Sequence, residues 1–246
     1  HPANPVSWNR QTAYPLLGFS NFLNDLSEEF HGVSRCRYWV DDRALMTEMY
    51  RQSMLKDPLF QFGLTIQCHG GYDYDGDDFE NTVHVINYED EDGTVSQYLS
   101  LISMSDQAFG ELIDKLEADE KKSIVLMFGD HLPSLSDDFY NQLLGEKDDQ
   151  EKELLLHETP YLFWANYDVS FDEIPEVMSA NFLSPYLLKC ADVPLSPYYR
   201  YLYDLSQEYP VVSRTAVLNA DGDFCEYTKE DSCYDRIHDY EIVQYA

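Results

Sequence analysis

Asp130 and His131 stand side by side at the end of the apolar run Ile124-Val125-Leu126-Met127-Phe128-Gly129. A carboxylate oxygen and an imidazole nitrogen offered together suit a borderline-hard divalent ion such as Mn²⁺ or Zn²⁺. The run before them is too short for a helix and reads as a buried strand, with Gly129 freeing the backbone to turn sharply where it ends. In open α/β sheets ligands sit in the loops beyond the carboxyl ends of the strands, so such a strand would deliver the pair to a working position. Taken alone, Asp130 also reads as an N-cap for the turn at Leu132-Pro133-Ser134, which is the commoner use of such a residue.

A second polar turn, His69-Gly70-Gly71-Tyr72, follows a second buried-strand candidate, Pro58 to Cys68. Between the two runs, Tyr98 to Leu116 carries Leu99, Ile102, Phe109, Leu112, Ile113 and Leu116 at helical spacing. Strand, long helix and strand make a βαβ unit, which predicts a parallel sheet with a right-handed crossover and both turns on one sheet edge. Tyr161 to Asn166 reads as a third strand.

The remaining chain supplies the surroundings. Residues 1–13 read as a loop holding His1, Trp8 and Arg10, and Tyr14 to Phe19 as a turn. Asn21 to Phe30 and Arg43 to Leu55 have helical patterns, and the acidic stretch up to Leu156 continues in that vein. Ser184-Pro185 and Ser196-Pro197 read as helix starts, Ser as cap and Pro at the first helical position. From Val211 onward, short alternating segments around Ala220-Asp221-Gly222-Asp223 predict a hairpin with a type I′ turn and no catalytic duty.

Composition bounds the function. With 246 residues the chain can bury one good core, and a 44% hydrophobic content excludes disorder. No apolar run approaches the ~18 residues of a membrane span. A net charge of −30, from 46 acidic against 16 basic residues, argues against broad contact with nucleic acid or an anionic membrane. It leaves an anionic small substrate open, because exposed charges beyond ~8 Å are largely screened at physiological salt. Asp73, Asp75 and Asp77 alternate as in a calcium loop, but Asp78 replaces the turn glycine and His84 the bidentate glutamate, so a solvated acidic loop is the better reading. Five cysteines show no zinc-like spacing. Cys225 and Cys233 flank a turn-rich stretch and are a candidate pair outside the cytoplasm, whereas Cys36, Cys68 and Cys190 read as small buried hydrophobes. There is no nucleophile elbow, phosphate loop, HExxH or dinucleotide fingerprint. The opening His1-Pro2-Ala3-Asn4 has no signal-peptide pattern and reads as the start of a piece of something longer.

The segment Gly129-Asp130-His131-Leu132-Pro133-Ser134-Leu135 after an apolar strand resembles the metal-binding motif of the lipoteichoic acid synthase family, the phosphoglycerol transferase branch of the sulfatase and alkaline-phosphatase superfamily. His69-Gly70-Gly71-Tyr72 is similar to that family's Asn-His-Gly-x-Tyr turn, with Cys68 in place of the Asn. His1 with Trp8-Asn9-Arg10 has the spacing of its substrate-pocket His, Trp and Arg, although Ala3 stands where an acidic residue is usual. The later segments, Tyr161 to Tyr167 and Asn181 to Tyr203, resemble the family too, so the likeness covers essentially the whole chain.

The resemblance implies a three-layer αβα alkaline-phosphatase-like fold with a mostly parallel sheet, incomplete at the N-terminus. A partial catalytic domain would occupy residues 1–210 and a small β-hairpin subdomain residues 211–246. It implies Asp130 and His131 as metal ligands for Mn²⁺, or Mg²⁺ or Zn²⁺, with a further Glu ligand and a nucleophilic Thr upstream, so that this fragment alone would be inactive. His1, Trp8, Arg10 and His69 would bind substrate, and His69 would also serve catalysis. The implied reaction moves glycerol phosphate from phosphatidylglycerol to a polymer or glycan acceptor, on the extracytoplasmic face of the membrane, in a membrane-anchored parent whose fragment is soluble. A sulfatase or phosphodiesterase of the same superfamily, or a non-catalytic cell-envelope binding module, are the alternatives.

Overall fold

A computed structural model describes residues 1–244. The chain divides into two compact units, one of residues 1–121 with 133–143 and one of residues 122–132 with 144–246.

The first unit is built on two helices. Helix α1 is Arg10–Leu16; a short hairpin follows, β1 Arg35–Cys36 with β2 Trp39–Val40; then come α2 Asp42–Leu55, α3 Thr94–Glu117 and α4 Asp137–Leu144. Asp41 caps α2 by accepting from the Ala44 N–H at 2.7 Å, and Asp90 caps α3 by accepting from Val95 and Ser96. Those carboxylates satisfy donors that a helix start leaves open and also complement its dipole. Helix α3 buries Leu101, Ala108, Leu112 and Leu116, a stripe at helical spacing, and α2 runs beside it with Leu45 inward. Ion pairing of Arg43 with Glu111 at 2.9 Å joins the two helices at their surface.

Asp42 is fully buried at the start of α2, where its carboxylate accepts from the Ser105 hydroxyl at 2.5 Å and from the Gln67 N–H at 3.4 Å. Burial pushes its pKa up, and the hydrogen bonds only partly hold it back. A carboxyl whose folded pKa exceeds its unfolded one contributes stability that is complete below the ordinary carboxylate range and is lost as pH rises through the raised value. Asp42→Asn keeps the shape and removes the titration. Its melting temperature relative to the parent should therefore rise between pH 4 and pH 8, and a difference that stays flat across that range would refute the reading.

The second unit pairs β3, Ile124–Phe128, with β4, Tyr161–Ala165, in antiparallel register from Ile124 opposite Ala165 to Phe128 opposite Tyr161. Helix α5 is Asp149–Leu155, followed after β4 by α6 Leu183–Cys190, α7 Pro197–Glu208, the pair β5 Val211–Val212 and β6 Val217–Leu218, and α8 Tyr234–Val243. Ser196 caps α7 as expected, accepting from the Tyr199 N–H at 3.2 Å, with Pro197 in its first turn. Ser184 lies inside α6 instead, because a 3₁₀ turn at Ala180–Phe182 leads straight into that helix. The core of this unit is Phe182, Tyr186, Leu202, Leu205, Val217, Cys233, Ile237 and Tyr240.

The mostly parallel three-layer sheet expected from the sequence is not formed. The described residues are 41% helix and 8% strand, and their only sheets are three two-stranded antiparallel pairs. Runs at 124–128 and 161–165 do become strands, but they pair with each other, and none of their residues is fully buried. The stretch from Pro58 to Cys68 joins no ladder, and Leu59, Phe60 and Phe62 are exposed. Pro58 has no N–H to donate and Gly63 has no side chain to pack, so apolar content there does not translate into a paired strand. The βαβ unit inferred from it therefore fails at its first strand. Near the end, the turn at 219–223 does bring Phe224 back to a bridge with Leu218, but as a five-residue loop with Gly222 at φ +85° rather than a two-residue type I′ turn.

Candidate functional site

The first unit gathers two of the expected residues, Arg10 and His69, around the indole of a third, Trp8. Trp8 and Asn9 both adopt left-handed backbone, φ 53° and 55°. That conformation costs a non-glycine residue ~1–2 kcal/mol, and strain of this kind clusters at functional sites. It turns the Trp8 ring outward, 66% exposed, and places the first residue of α1, Arg10, with its guanidinium 4.2 Å from the ring centroid. The exposed His69 imidazole meets the same indole edge-to-face at 6.1 Å. A cation over an indole in an exposed setting gains ~0.5–1 kcal/mol, enough to bias where the guanidinium rests. Its Nη1 is buried with no hydrogen-bond partner among the described residues, so it is a donor whose bonding capacity is unused.

His1 is buried, and its Nδ1 lies 2.9 Å from the Leu64 carbonyl. A carbonyl only accepts, so Nδ1 carries the hydrogen and Nε2, also buried without a partner, is left with a lone pair. His1 is thus anchored to Leu64 and takes no part in the ring contacts of Trp8 and His69. Cys68, beside His69, is no substitute for an amide: burial pushes its thiol up to about 12, so it stays neutral. Trp39 was not legible as a site residue, yet its indole meets His69 at 6.3 Å, so that the imidazole contacts two indoles. No motif spacing in the sequence signals it, since the contact depends on how the 35–40 hairpin folds.

The second unit carries Asp130 and His131 on the loop after β3. Gly129 is needed there for close approach, not for a left-handed turn: an added Cβ would lie 3.0 Å from the Thr159 Cβ. Thr159 donates its hydroxyl to the Gly129 carbonyl at 2.9 Å, and the Gly129 N–H donates to Pro160, so the strand end is held before the pair begins. Both side chains are exposed, with His131 Nε2 3.8 Å from Asp130 Oδ2. His131 Nδ1 sits 2.7 Å from the Leu132 carbonyl and must donate to it. The tautomer is thereby fixed with the Nε2 lone pair free toward the carboxylate. An N–H held by a carbonyl is how metal-binding imidazoles are usually oriented, and the 3.8 Å spacing is close to the ~3.3 Å between two ligands of a tetrahedral ion. The pair fits a divalent metal as two of its ligands, and among the described residues no cluster of three or more such donors forms.

Comparison with known proteins decides the family. The sulfatase family model matches residues 1–193. The chain belongs to the sulfatase family. Members of this alkaline-phosphatase-like superfamily commonly bind a divalent metal. A protein of Rhizobium meliloti (strain 1021), named for cyclic beta-1,2-glucan modification, is 26% identical over 258 residues, covering 100% of this chain and 39% of the relative. Among solved structures, the Streptococcus pyogenes phosphoglycerol transferase GacH in complex with sn-glycerol-1-phosphate aligns with a TM-score of 0.66 and 25% identity, over 87% of this chain and 55% of that one. This sulfatase-family chain therefore spans well under two thirds of either relative. No helix among its described residues is long and apolar enough to cross a membrane.

Proposed function

We propose that this chain belongs to a metal-dependent phosphoglycerol transferase of the lipoteichoic acid synthase type, which moves glycerol phosphate from a phosphatidylglycerol-type lipid to a polymer or glycan acceptor outside the membrane. The observation that carries the reading is the grouping of Arg10, Trp8 and His69. The Arg10 fork supplies donors for a phosphate oxygen, and its Nη1 has no hydrogen-bond partner among the described residues. Trp8 offers an apolar wall to the glycerol carbons. The His69 imidazole, held against Trp8 and Trp39, would give a hydrogen bond or a proton to the departing alkoxide. GacH, aligned over most of this chain, is in complex with sn-glycerol-1-phosphate, which supports this ligand class. The name of the rhizobial relative favours a glycan as acceptor.

Asp130 and His131 would hold a divalent metal such as Mn²⁺, which when bound neutralises charge building on the transferred phosphoryl group and lowers the pKa of the attacking hydroxyl. No residue of this sequence matches the family's nucleophilic Thr, and His69 supplies proton transfer only. Quenching of Trp8 fluorescence on titration with sn-glycerol-1-phosphate tests the reading. Saturable quenching that is lost in Arg10→Ala, with little response to inorganic sulfate, is the expected result. Preference for sulfate would move the chain to the sulfatase alternative, and no response to either would overturn the transferase reading in favour of a binding module.

A further inference from the structure

Arg37 occupies the two-residue loop of the β1–β2 hairpin, where Cys36 pairs with Trp39, and its φ is +54°. Glycine or asparagine is the usual residue at such a position. The side chain shows what the strained backbone achieves. Only 7% of Arg37 is exposed, and its guanidinium donates to four neutral oxygens: Nη2 to the carbonyls of Gln67 at 2.8 Å and His69 at 2.9 Å, and Nη1 to the Gly71 carbonyl at 2.5 Å and Gln97 Oε1 at 3.5 Å. A buried guanidinium is ordinarily matched with a carboxylate. Here its donors go to alternate carbonyls of the one turn that carries His69.

The rest of the turn is secured from the same side. Gln97 accepts from the Tyr74 N–H at 3.1 Å and donates to the Tyr74 carbonyl at 2.9 Å, and the Tyr72 hydroxyl donates to the Cys68 carbonyl at 3.0 Å. Trp39, two residues past Arg37, lays its indole against the His69 ring. We infer that Arg37 is a positioning residue for His69: its planar fork fixes the backbone at 67, 69 and 71 while Trp39 from the same hairpin fixes the ring. A lysine ammonium in its place is a compact charge without the fork, so it cannot span the same set of carbonyls. The inference rests on the proposed role of His69 toward a phosphoglycerol group, and it names the residue on which that role depends.

The test compares Arg37→Lys, Arg37→Met, His69→Ala and the Arg37→Met/His69→Ala double variant in the full chain. Binding of sn-glycerol-1-phosphate and the imidazole resonances of His69 are followed by NMR, with melting temperature recorded alongside. Losing a residue that orients a functional side chain costs about 10- to 100-fold in comparable sites. Arg37→Met should weaken binding about tenfold in the parent and hardly at all when His69 is already alanine, and Arg37→Lys should fail to restore it. The His69 resonances should shift or broaden in both Arg37 variants while those of His157 and His238 stay put. Equal weakening in both backgrounds, or unmoved His69 resonances, overturns the inference. If the parent does not bind the ligand, the functional reading fails, yet the His69 resonances still decide the positioning role. Should Arg37→Met not fold, Arg37→Lys with and without His69→Ala carries the same comparison.

Discussion

On the proposed transferase reading, replacing Asp130 with alanine should reduce phosphoglycerol transfer roughly a thousandfold, in a polypeptide that has the additional length of its relatives, and should weaken Mn²⁺ binding in parallel. The magnitude follows from the several kcal/mol of charge stabilisation that a bound ion gives to a transferring phosphoryl group, at about tenfold per 1.4 kcal/mol. The structure makes the experiment clean. The Asp130 and His131 side chains are 69% and 72% exposed and 3.8 Å apart, so their interaction adds little to folding and the melting temperature should hardly move. His131→Ala should reproduce the loss if, as proposed, the imidazole is the second ligand of the pair. Diacylglycerol release from phosphatidylglycerol, read beside Mn²⁺ titration, separates the outcomes. Activity within threefold of the parent in Asp130→Ala would remove the metal role from this residue.

Which parts of the molecule can be read from the chain depends on how local their causes are. The periodicity of α3 and the apolar runs of β3 and β4 are local patterns, and all three elements form there. Of the expected α3 stripe, however, only Leu112 and Leu116 are buried and Ile102 is exposed, with Leu101 and Ala108 turned inward instead. Strand pairing is not local: the same runs serve a parallel sheet or an antiparallel pair, and only the observed register of Phe128 with Tyr161 distinguishes them. At 21–30 the apolar spacing suggests a helix, but side chains compete for the backbone. Ser27 Oγ accepts from the Asn24 N–H at 2.9 Å and Asn24 Oδ1 from the Leu26 N–H at 3.1 Å, which leaves one 3₁₀ turn at Glu28–Phe30. Helix α8 was hidden for the opposite reason, because turn residues just before it suggested a hairpin while Ile237 and Tyr240 carry its buried face. At the candidate site, Trp8, Arg10 and His69 were visible as residue types in a familiar order. Arg37 and Trp39 were not, because their roles arise from a hairpin laid against a distant turn and leave no spacing in the sequence.

Phe182→Ala should destabilise the second unit by about 3–5 kcal/mol, the cost of a buried aromatic plus the cavity it leaves. Phe182 is 0% exposed at the entry to α6 and packs in the cluster that holds Tyr186, Leu202, Leu205, Ile237 and Tyr240. Its ring lies 6.4 Å from that of Tyr240, whose hydroxyl accepts from the neighbouring Asn181 amide at 2.6 Å, so truncation empties the space beside a part-buried polar contact. Collapse into that space would pull Tyr240 off Asn181, and keeping the bond leaves the cavity open; neither route recovers the loss. Phe182→Leu retains most of the volume and should cost about 1.5 kcal/mol or less. Residue-resolved hydrogen exchange on the amides of α6 and α7 reads the difference directly, because their slowest opening reports the stability of the packed elements. Exchange at Leu205 and Tyr186 should accelerate by about two to three and a half orders of magnitude in the alanine variant, at about tenfold per 1.4 kcal/mol, and by about tenfold or less in the leucine variant. An alanine variant that exchanges less than tenfold faster would mean that this cluster is not what holds α6 and α7 together.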